Sequence, residues 1–420
     1  MSTNRRTFLQ KLGAAGLVTL GVAPPAFLAR AAVAAELQKK QPTSGRILVL
    51  LQMAGGNDGL NTVIPHGDPE YFKARPGIAI PKPTVLKIDD MLGLHPRMTG
   101  FKELYDEGQL AIVQGVGYAN PDRSHFRSMD IWHSARPGAD FFQDGWLGRG
   151  LDLTLEGHAG EMRAMALGTN RLPLALLGSK ENVPSVSNLA GYQLELGARS
   201  EEDRKLKRSL MGELLGRSGM ADDASAAGGN LEFLRQTALT AVASADKLKK
   251  VTTSYKPAVP YPTSGLGEKL KLVAQIIAGD LGTRVIFVSL DGFDTHAQQA
   301  GAHQALLGEL SAAIRVFFQD LKGLRLDDRV LLATVSEFGR RVKENGSLGT
   351  DHGAASQVFI VGPAVKGGLH GKHPSLTDLV EGDLKFHTDF RSVYATLLNR
   401  VLEWPAEAVL GSAFPLIDFV

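Results

Sequence analysis

The run RILVLLQM at residues 46–53 decides the fold of this 420-residue chain. A nearly uninterrupted apolar run that ends at Gly55-Gly56 is typical of a strand buried on both faces of a parallel sheet. Apolar residues recur at three- and four-residue spacing from Leu306 to Leu321, which predicts an amphipathic helix. Further strand-like runs lie at residues 110–116, 284–290, 329–335 and 358–361. Strands that alternate with helices predict an α/β fold, a three-layer sandwich whose mostly parallel central sheet carries helices on both faces.

The composition narrows the chemistry that the chain can support. Its 46 basic and 44 acidic residues leave a formal net charge of +2, which gives no electrostatic reason to expect a nucleic-acid partner. The sequence contains no cysteine, so disulfides, thiolate metal sites and cysteine nucleophiles are excluded. A metal ion would therefore have to be bound by His, Asp, Glu or Asn side chains.

The first residues are typical of an export signal. Arg5-Arg6 precede Phe8-Leu9, a weakly hydrophobic run follows at about residues 12–28, and Ala32-Val33-Ala34 has the small-x-small pattern of a cleavage site. We expect a twin-arginine signal peptide over residues 1–34, recognition by the twin-arginine translocase, and a mature protein that is periplasmic or secreted. No later stretch approaches the ~18 apolar residues of a membrane helix, so no permanent membrane span is expected.

The remaining chain is expected to form one domain. Residues 35–45 are interpreted as a linker, and residues 46–420 as a single domain. Residues 195–265 differ from the rest in composition, because a charged segment is followed by a Gly/Ala/Ser-rich segment at 218–229 and a Pro-rich segment at 256–262. We interpret them as a helical insertion within that domain.

Polar side chains follow four of the predicted strands. In chain order they are Asn57 and Asp58, then Ser124, His125 and Arg127, then Asp294 and His296, and finally Glu337, Arg340, Asp351 and His352. Because the carboxyl ends of parallel strands meet at one edge of a sheet, we expect these side chains to converge there.

Six of these residues carry donor atoms that suit a divalent metal ion. They are Asp58, Asp294, His296, Glu337, Asp351 and His352. This mixture of carboxylate and imidazole suits one or two ions of zinc, manganese, iron or calcium. The alternative is local structure, since Asn-Asp-Gly segments form turns and an Asp-His pair often closes a hydrogen-bonded loop. Their common placement after successive strands favours the metal site.

Ser124 is the candidate nucleophile. It precedes a predicted helix, where the free amides and the helix dipole can bind an anion, and a nearby metal would lower the pKa of its hydroxyl. The alternative is that Ser124 only caps that helix, a position that serine favours. Asn57, His125, Arg127 and Arg340 are the candidate substrate-binding residues. The chain lacks the Gly-x-Ser-x-Gly, Walker and Gly-x-Gly-x-x-Gly motifs, which argues against a typical serine hydrolase, an NTPase and a dinucleotide enzyme.

The chain resembles the exported bacterial family catalogued as domain of unknown function 1501 over about residues 46–402. The matching segments are GGNDGLNT (55–62), QGVGY (114–118), RSHFRSMD (123–130), GWLGR (145–149), DTH (294–296), SEFGR (336–340), GTDHG (349–353) and TDFRSVYAT (388–396). That family in turn looks like a distant branch of the alkaline phosphatase and sulfatase superfamily. The resemblance implies an alkaline phosphatase-like fold and an exported metal-dependent hydrolase of a phosphate or sulfate ester, small or polymeric.

The resemblance also implies residue roles. Asp58 would be an early metal ligand, Ser124 the nucleophile, Asp294 and His296 ligands of one metal, and Asp351 with His352 the late ligands. Two departures bear on activity. Glu337-Phe338 stands where the superfamily often has adjacent Asp and His, so either Glu337 replaces that Asp with His352 as the final His, or Asp351-His352 is the pair and Glu337 lies behind it. The sulfatase Cys/Ser-x-Pro-x-Arg signature is also missing. A phosphatase or phosphodiesterase is therefore slightly favoured, and the alternative is a non-catalytic envelope binding or scaffolding protein that keeps the fold.

Overall fold

The apolar run near the start of the domain forms a strand in the middle of the sheet. We describe residues 45–156, 162–169, 171–180, 183–186, 202 and 255–420 of a computed structural model. Strand β1 (Ile47–Ala54) is buried over nearly its whole length, because both of its faces are covered. Leu48 and Leu50 face one layer of helices, and Val49 and Leu51 face the other. This two-sided burial explains why the strand has no alternation of polar and apolar residues.

Among the described residues, nine strands form the central sheet. They are β1, β5 (Leu110–Gly117), β6 (Ala164–Leu167), β7 (Ser185–Val186), β8 (Val285–Asp291), β9 (Val330–Val335), β10 (Ser356–Val361), β11 (Gly368–His370) and β14 (Thr388–Asp389). Their order is β11-β5-β10-β9-β1-β8-β6-β7, with β14 also paired to β5. Only β10 runs antiparallel to its partners, β5 and β9. The prediction of a mostly parallel central sheet is confirmed.

Short strands lie outside this sheet. Strands β2 (Val63–Ile64), β3 (Leu86–Lys87) and β4 (Gly93–Leu94) pair with one another, and β12 (Leu379–Val380) forms a hairpin with β13 (Asp383–Leu384).

Helices cover both faces of the central sheet. They are α1 (Gly59–Thr62), α2 (Pro69–Ala74), α3 (Thr99–Asp106), α4 (His125–Ser134), α5 (Trp146–Leu153), α6 (Gly265–Ala278), α7 (Gln299–Gly323), α8 (Phe390–Thr396) and α9 (Ala406–Leu410), with a π-helical segment at Leu397–Leu402. Helices α3, α6 and α7 pack on the face of Val49 and Leu51, and α4, α5, α8 and α9 pack on the face of Leu48 and Leu50. The three-layer α/β fold is therefore confirmed.

The direction of the strands places four polar loops at one edge. Strands β8 and β9 are parallel to β1. Strand β5 points the same way, because it is antiparallel to β10, which is itself antiparallel to β9. The segments after β1, β5, β8 and β9 therefore leave the sheet at the same edge, as the sequence predicts.

Some predictions fall on residues that are not described. The predicted signal peptide and all but the last residue of the predicted linker lie outside the described residues. Of the predicted insertion at 195–265, residue 202 and residues 255–265 are described. No helix in the described part of the chain is long and apolar enough to cross a membrane.

Candidate metal centre

Close contact between the loops after β1, β8 and β9 forms the base of the site. Gly55 has φ +119°, and a Cβ atom there would collide with the backbone of Phe293 and Asp294, so the first loop can approach the third only without a side chain. The buried Arg340 guanidinium holds these loops together by donating hydrogen bonds to their backbone carbonyls. The acceptors are the carbonyl oxygens of Gly55, Gly56, Phe293 and Thr350. An antiparallel bridge between Arg340 and His352 brings the last polar segment to the same place.

Asp294 lies at the centre of a cluster of three imidazoles. Its Oδ1 is 3.0 Å from His296 Nε2 and 3.3 Å from His352 Nε2, and its Oδ2 is 3.3 Å from His125 Nε2. The Nε2 atoms of His296 and His352 are 2.9 Å apart. The four side chains come from three different segments, and the buried Phe338 ring lies against His125 and His352.

The other nitrogen of each imidazole is bound to an oxygen. His125 Nδ1 is 2.9 Å from Glu337 Oε1, His352 Nδ1 is 2.7 Å from the carbonyl oxygen of Arg123, and His296 Nδ1 is 3.4 Å from Asp351 Oδ1. A carbonyl or carboxylate oxygen accepts, so the tautomer with its proton on Nδ1 donates to these partners and leaves the lone pair on Nε2. In that tautomer all three lone pairs belong to the atoms that face Asp294, which is the arrangement that a bound cation requires.

The cluster fits a bound cation. Two imidazole lone pairs that face each other at 2.9 Å repel unless a cation or proton lies between them. His125 Nε2 is buried and makes no hydrogen bond, which leaves it available as a ligand atom. A tetrahedral zinc ion with bonds of about 2.0–2.1 Å holds its ligand atoms about 3.3 Å apart, close to the distances from the Asp294 oxygens to the three Nε2 atoms. Hydrogen bonds from Nδ1 to oxygen are also typical of metal-binding histidines.

Charge beside the cluster keeps Asp294 ionised. Burial raises the pKa of Asp294, but the hydrogen bond and the charge of Arg340 outweigh it and lower the pKa to about 2. Burial lowers the pKa of His352, so its imidazole is neutral at pH 7. Asp294 is therefore an anion at pH 7, and the direction of the His352 shift favours its neutral form, which are the states that metal binding requires.

Glu337 and Asp351 lie behind the cluster. The Glu337 side chain is 1% exposed, and its Oε1 accepts from the Gly55 amide at 2.8 Å as well as from His125. Asp351 accepts from Asn345 Nδ2 at 3.0 Å on the same oxygen that faces His296. Both carboxylates contact the Nδ1 atom of a histidine, on the side of the imidazole that points away from Asp294. They therefore lie outside the cluster.

The structure does not bring Asp58 into the cluster. Its side chain is completely buried and caps α1, accepting from the amides of Leu60 and Asn61 through Oδ1. Its Oδ2 accepts from Arg75 Nη1 at 2.6 Å and from Gln299 Nε2. Burial raises the pKa of Asp58, but Arg75 and the surrounding donors outweigh it and leave the pKa below its ordinary value. No pattern in the sequence marks Arg75 or Gln299 as a partner of Asp58. Only the contacts in the folded protein identify them.

Ser124 lies beside the cluster with its hydroxyl free. It is exposed, immediately precedes His125 and occupies the N-cap position of α4, yet no side chain caps the first turn of that helix. The capping alternative therefore lacks its hydrogen bond. Ser128, one turn later, is buried and donates to the carbonyl oxygen of Glu337, which fixes α4 against the loop after β9.

The candidate substrate-binding residues are scattered. His125 belongs to the cluster itself, and Arg340 uses its donors on the surrounding loops and Asp294. Arg127 turns away, donating to the Ala139 carbonyl and lying 4.7 Å from the centre of the Phe142 ring. Asn57 is completely buried, where its Oδ1 accepts from Thr62 and contacts His303.

Comparison with known proteins identifies the family. Residues 46–402 match the family model described as protein of unknown function (DUF1501), and the chain belongs to this family. No curated protein sequence matches the chain.

Solved structures with a similar fold share about a tenth of their residues with this chain. One is a protein in the alkaline phosphatase superfamily from Vibrio parahaemolyticus, 9% identical with a TM-score of 0.40, covering 88% of this chain and 69% of that chain. Another is the PsFucS1 sulfatase from Pseudoalteromonas sp., 10% identical with a TM-score of 0.36, covering 94% and 75%. A third is the C-terminal periplasmic domain of EcEptC from Escherichia coli in complex with Zn, 10% identical with a TM-score of 0.33, covering 77% and 74%. The family description assigns no activity. A function can therefore be proposed only from the geometry of the site.

Proposed function

We propose that this chain is an exported hydrolase of phosphate or sulfate esters that uses one divalent cation. His125, Asp294, His296 and His352 would hold the ion. The observation that carries the proposal is the orientation of the three imidazoles, each with Nδ1 bound to an oxygen and Nε2 facing the Asp294 carboxylate. The paired arginines Arg5-Arg6 support export.

The contacts of the remaining carboxylates support one ion rather than two. Both oxygens of Asp58 already accept hydrogen bonds, including one from the buried guanidinium of Arg75. That cation neutralises Asp58, so a divalent ion there would have to displace it. Glu337 and Asp351 are occupied in orienting His125 and His296. A bound cation would supply Lewis-acid stabilisation of developing negative charge and lower the pKa of a coordinated oxygen.

Ser124 supplies the nucleophile in this proposal. The uncapped first turn of α4 offers backbone amides and the positive end of the helix dipole to the anionic phosphate or sulfate group. The Ser124 oxygen bonds to phosphorus or sulfur as the bond to the leaving alcohol oxygen breaks, and the hydroxyl proton ends on the released alcohol. Water then cleaves the seryl ester and restores the hydroxyl.

Elemental analysis of the protein purified after native export tests the metal, and a Ser124→Ala variant tests the chemistry. We expect about one equivalent of a divalent transition metal per chain, which His352→Ala loses and Ser124→Ala retains. Assays with 4-nitrophenyl phosphate, bis(4-nitrophenyl) phosphate and 4-nitrophenyl sulfate should give turnover that both variants lose. A folded protein without metal would overturn the proposal.

One observation favours the alternative, a binding or scaffolding protein that has lost catalysis. Neither Arg127 nor Arg340 presents a free guanidinium to the cluster, so the expected arginine partners of an oxyanion are not there. Bound metal with no turnover of any of the three esters, and no change on Ser124→Ala, would establish this alternative.

A further inference from the structure

A cavity of about 540 Å³ is lined by Arg123, the residue before Ser124, and by Ala354, two residues after His352. Arg123 lines the cavity with its side chain while its carbonyl oxygen accepts from His352 Nδ1, and the next two residues are Ser124 and His125. Two of the segments that form the site therefore continue directly into the cavity wall. Its volume is in the range of small-molecule binding sites.

The walls of the cavity expose apolar surface. Val380 is 55% exposed and Phe386 is 37% exposed, and both line the cavity together with Tyr118, Pro121 and Leu384. Exposed large apolar side chains that meet in a concave site are typical of ligand contact. A ligand with an apolar face would cover them.

The charges around the cavity are balanced. Arg123 donates to Asp383 Oδ2 from Nε at 3.0 Å and from Nη2 at 2.6 Å, and its Nη2 is 3.2 Å from Glu381 Oε2. Lys385 is paired with Asp378. The four charged residues that line the cavity, Arg123, Lys385, Glu381 and Asp383, sum to zero formal charge. An anionic ligand would meet two carboxylates and a cationic ligand would meet two bases, so an uncharged ligand is favoured.

We propose that this cavity binds the uncharged, hydroxyl-bearing group to which the phosphate or sulfate is attached, and that this group is a sugar ring. A sugar ring combines an apolar face of C–H bonds, suited to Phe386, with hydroxyls that exchange hydrogen bonds with the Glu381 carboxylate and the Arg123 guanidinium, both partly exposed. This inference rests on the proposed function for the part of the ligand that reacts. The cavity itself makes a prediction that needs no catalysis.

Direct binding of free sugars tests the cavity. Methyl glycosides of glucose, galactose, mannose and N-acetylglucosamine, with gluconate and choline as the charged probes, are titrated into the full-length exported protein and followed by ligand-observed NMR. We expect at least one neutral glycoside to bind with a Kd at or below about 10 mM, and both charged probes to bind more weakly. Phe386→Ala should weaken that binding at least about tenfold. The matched control Phe141→Ala removes an exposed phenylalanine that does not line the cavity and should leave the affinity unchanged.

The metal-site variant separates this inference from the proposed function. His352→Ala should keep the binding of the glycoside even though it loses turnover. Retained sugar binding without any hydrolysis would leave the cavity assignment standing while the proposed function fails. Hydrolysis without binding of any glycoside, tighter binding of a charged probe, or equal effects of Phe386→Ala and Phe141→Ala would overturn the cavity assignment. Val380→Glu, an exposed change on the β12–β13 hairpin that adds charge to the cavity, should also abolish the binding if Phe386→Ala fails to fold.

Discussion

Two aspartates follow adjacent parallel strands at the same edge of the sheet, yet their surroundings differ in kind. Asp58 comes four residues after the end of β1 and is completely buried. Asp294 comes three residues after the end of β8, and its side chain is 45% exposed. Asp58 is surrounded by proton donors, namely a guanidinium, an amide side chain and two backbone amides. Asp294 accepts from one guanidinium, and otherwise faces the Nε2 atoms of three imidazoles.

A position at the end of a strand determines where a carboxylate lies, but not which atoms surround it. The topology brings both carboxylates to the same edge, but the neighbours decide their chemistry. A carboxylate whose oxygens already accept from donors is satisfied within the protein, and it contributes to stability. Asp294 also accepts from one guanidinium, but it faces three imidazole nitrogens as well, and that group of donor atoms suits a cation. The same residue type therefore serves structure at one strand end and, in our proposal, binds a metal ion at the next.

The largest effect should come from Asp294→Asn. The amide cannot supply the negative charge that the cation needs, so we expect the metal to be lost and ester turnover to fall about ten-thousandfold, about 5 kcal/mol of barrier. In metal-free protein the unfolding midpoint in urea should fall less than it does for the buried Asp58, because the Asp294 side chain is half exposed and Arg340 keeps its backbone carbonyl acceptors. Metal analysis and turnover measure the first effect, and a urea titration the second. Asp291→Asn, a nearby exposed aspartate at the end of β8, is the matched control and should retain both metal and activity.

Asp58→Asn should have the opposite profile. It leaves Arg75 as a buried charge without its partner, so we expect the free energy of unfolding to fall by about 3–5 kcal/mol. The metal content of the protein that remains folded should be unchanged. Urea titration and elemental analysis of the same preparation measure both quantities. Loss of metal at unchanged stability would instead identify Asp58 as a ligand and revive a second ion.

The strands of the fold were predicted well, because a strand that is buried on both faces consists of an uninterrupted run of apolar residues, and such a run is visible in the sequence. The strand expected at residues 46–53 is found at Ile47–Ala54, and the one expected at 284–290 is found at Val285–Asp291. Both are buried on two faces, so nothing interrupts their apolar runs. The antiparallel direction of β10 was not predicted, because strand direction depends on the path of the connecting chain and leaves no periodicity.

The sequence predicted that these polar loops converge, but the structure places some of their side chains differently from the roles predicted for them: His125, predicted to bind substrate, faces Asp294, and Glu337, predicted to bind metal, lies behind His125. His125 and Glu337 both belong to the edge where polar loops converge, as expected, yet the hydrogen bond between them joins residues 212 positions apart. Which nitrogen of His125 faces the cluster depends on that contact, and no local pattern encodes it. For the same reason Asp58 could not be separated from Asp294, since its partner Arg75 carries no motif.

Glu337→Gln should have an intermediate effect, which tests whether Glu337 positions His125 or binds the ion itself. Glutamine still accepts from His125 Nδ1 but lacks the charge that makes the imidazole a stronger ligand, so we expect metal affinity to fall about 10–100-fold. Competition with a chelator measures the affinity. Glu344→Gln, which alters a carboxylate that accepts from the amides of Gly77 and Ile78, is the matched control and should leave the metal affinity unchanged. A loss as complete as that of Asp294→Asn would make Glu337 a ligand.

The smallest expected effect is a pH-dependent change in stability that comes from the buried residue His303. His303 contacts Asn57 Oδ1 at 3.1 Å, and burial lowers its pKa from 6.5 to about 4. Between these two values the unfolded chain binds a proton that the folded protein excludes, so this contribution to stability is complete above pH 6.5 and declines as the pH falls toward 4. At pH 5.5 the loss from this one group amounts to about 1 kcal/mol relative to pH 7.5. Glutamine does not titrate, so the stability difference between wild type and His303→Gln should shrink by that amount at pH 5.5. Urea titrations of both proteins at the two pH values measure this change. If the stability difference between wild type and His303→Gln is the same at both pH values, His303 takes up its proton in the folded state as well. The buried surroundings of His303 would then tolerate a charged group, as the half-exposed surroundings of Asp294 do.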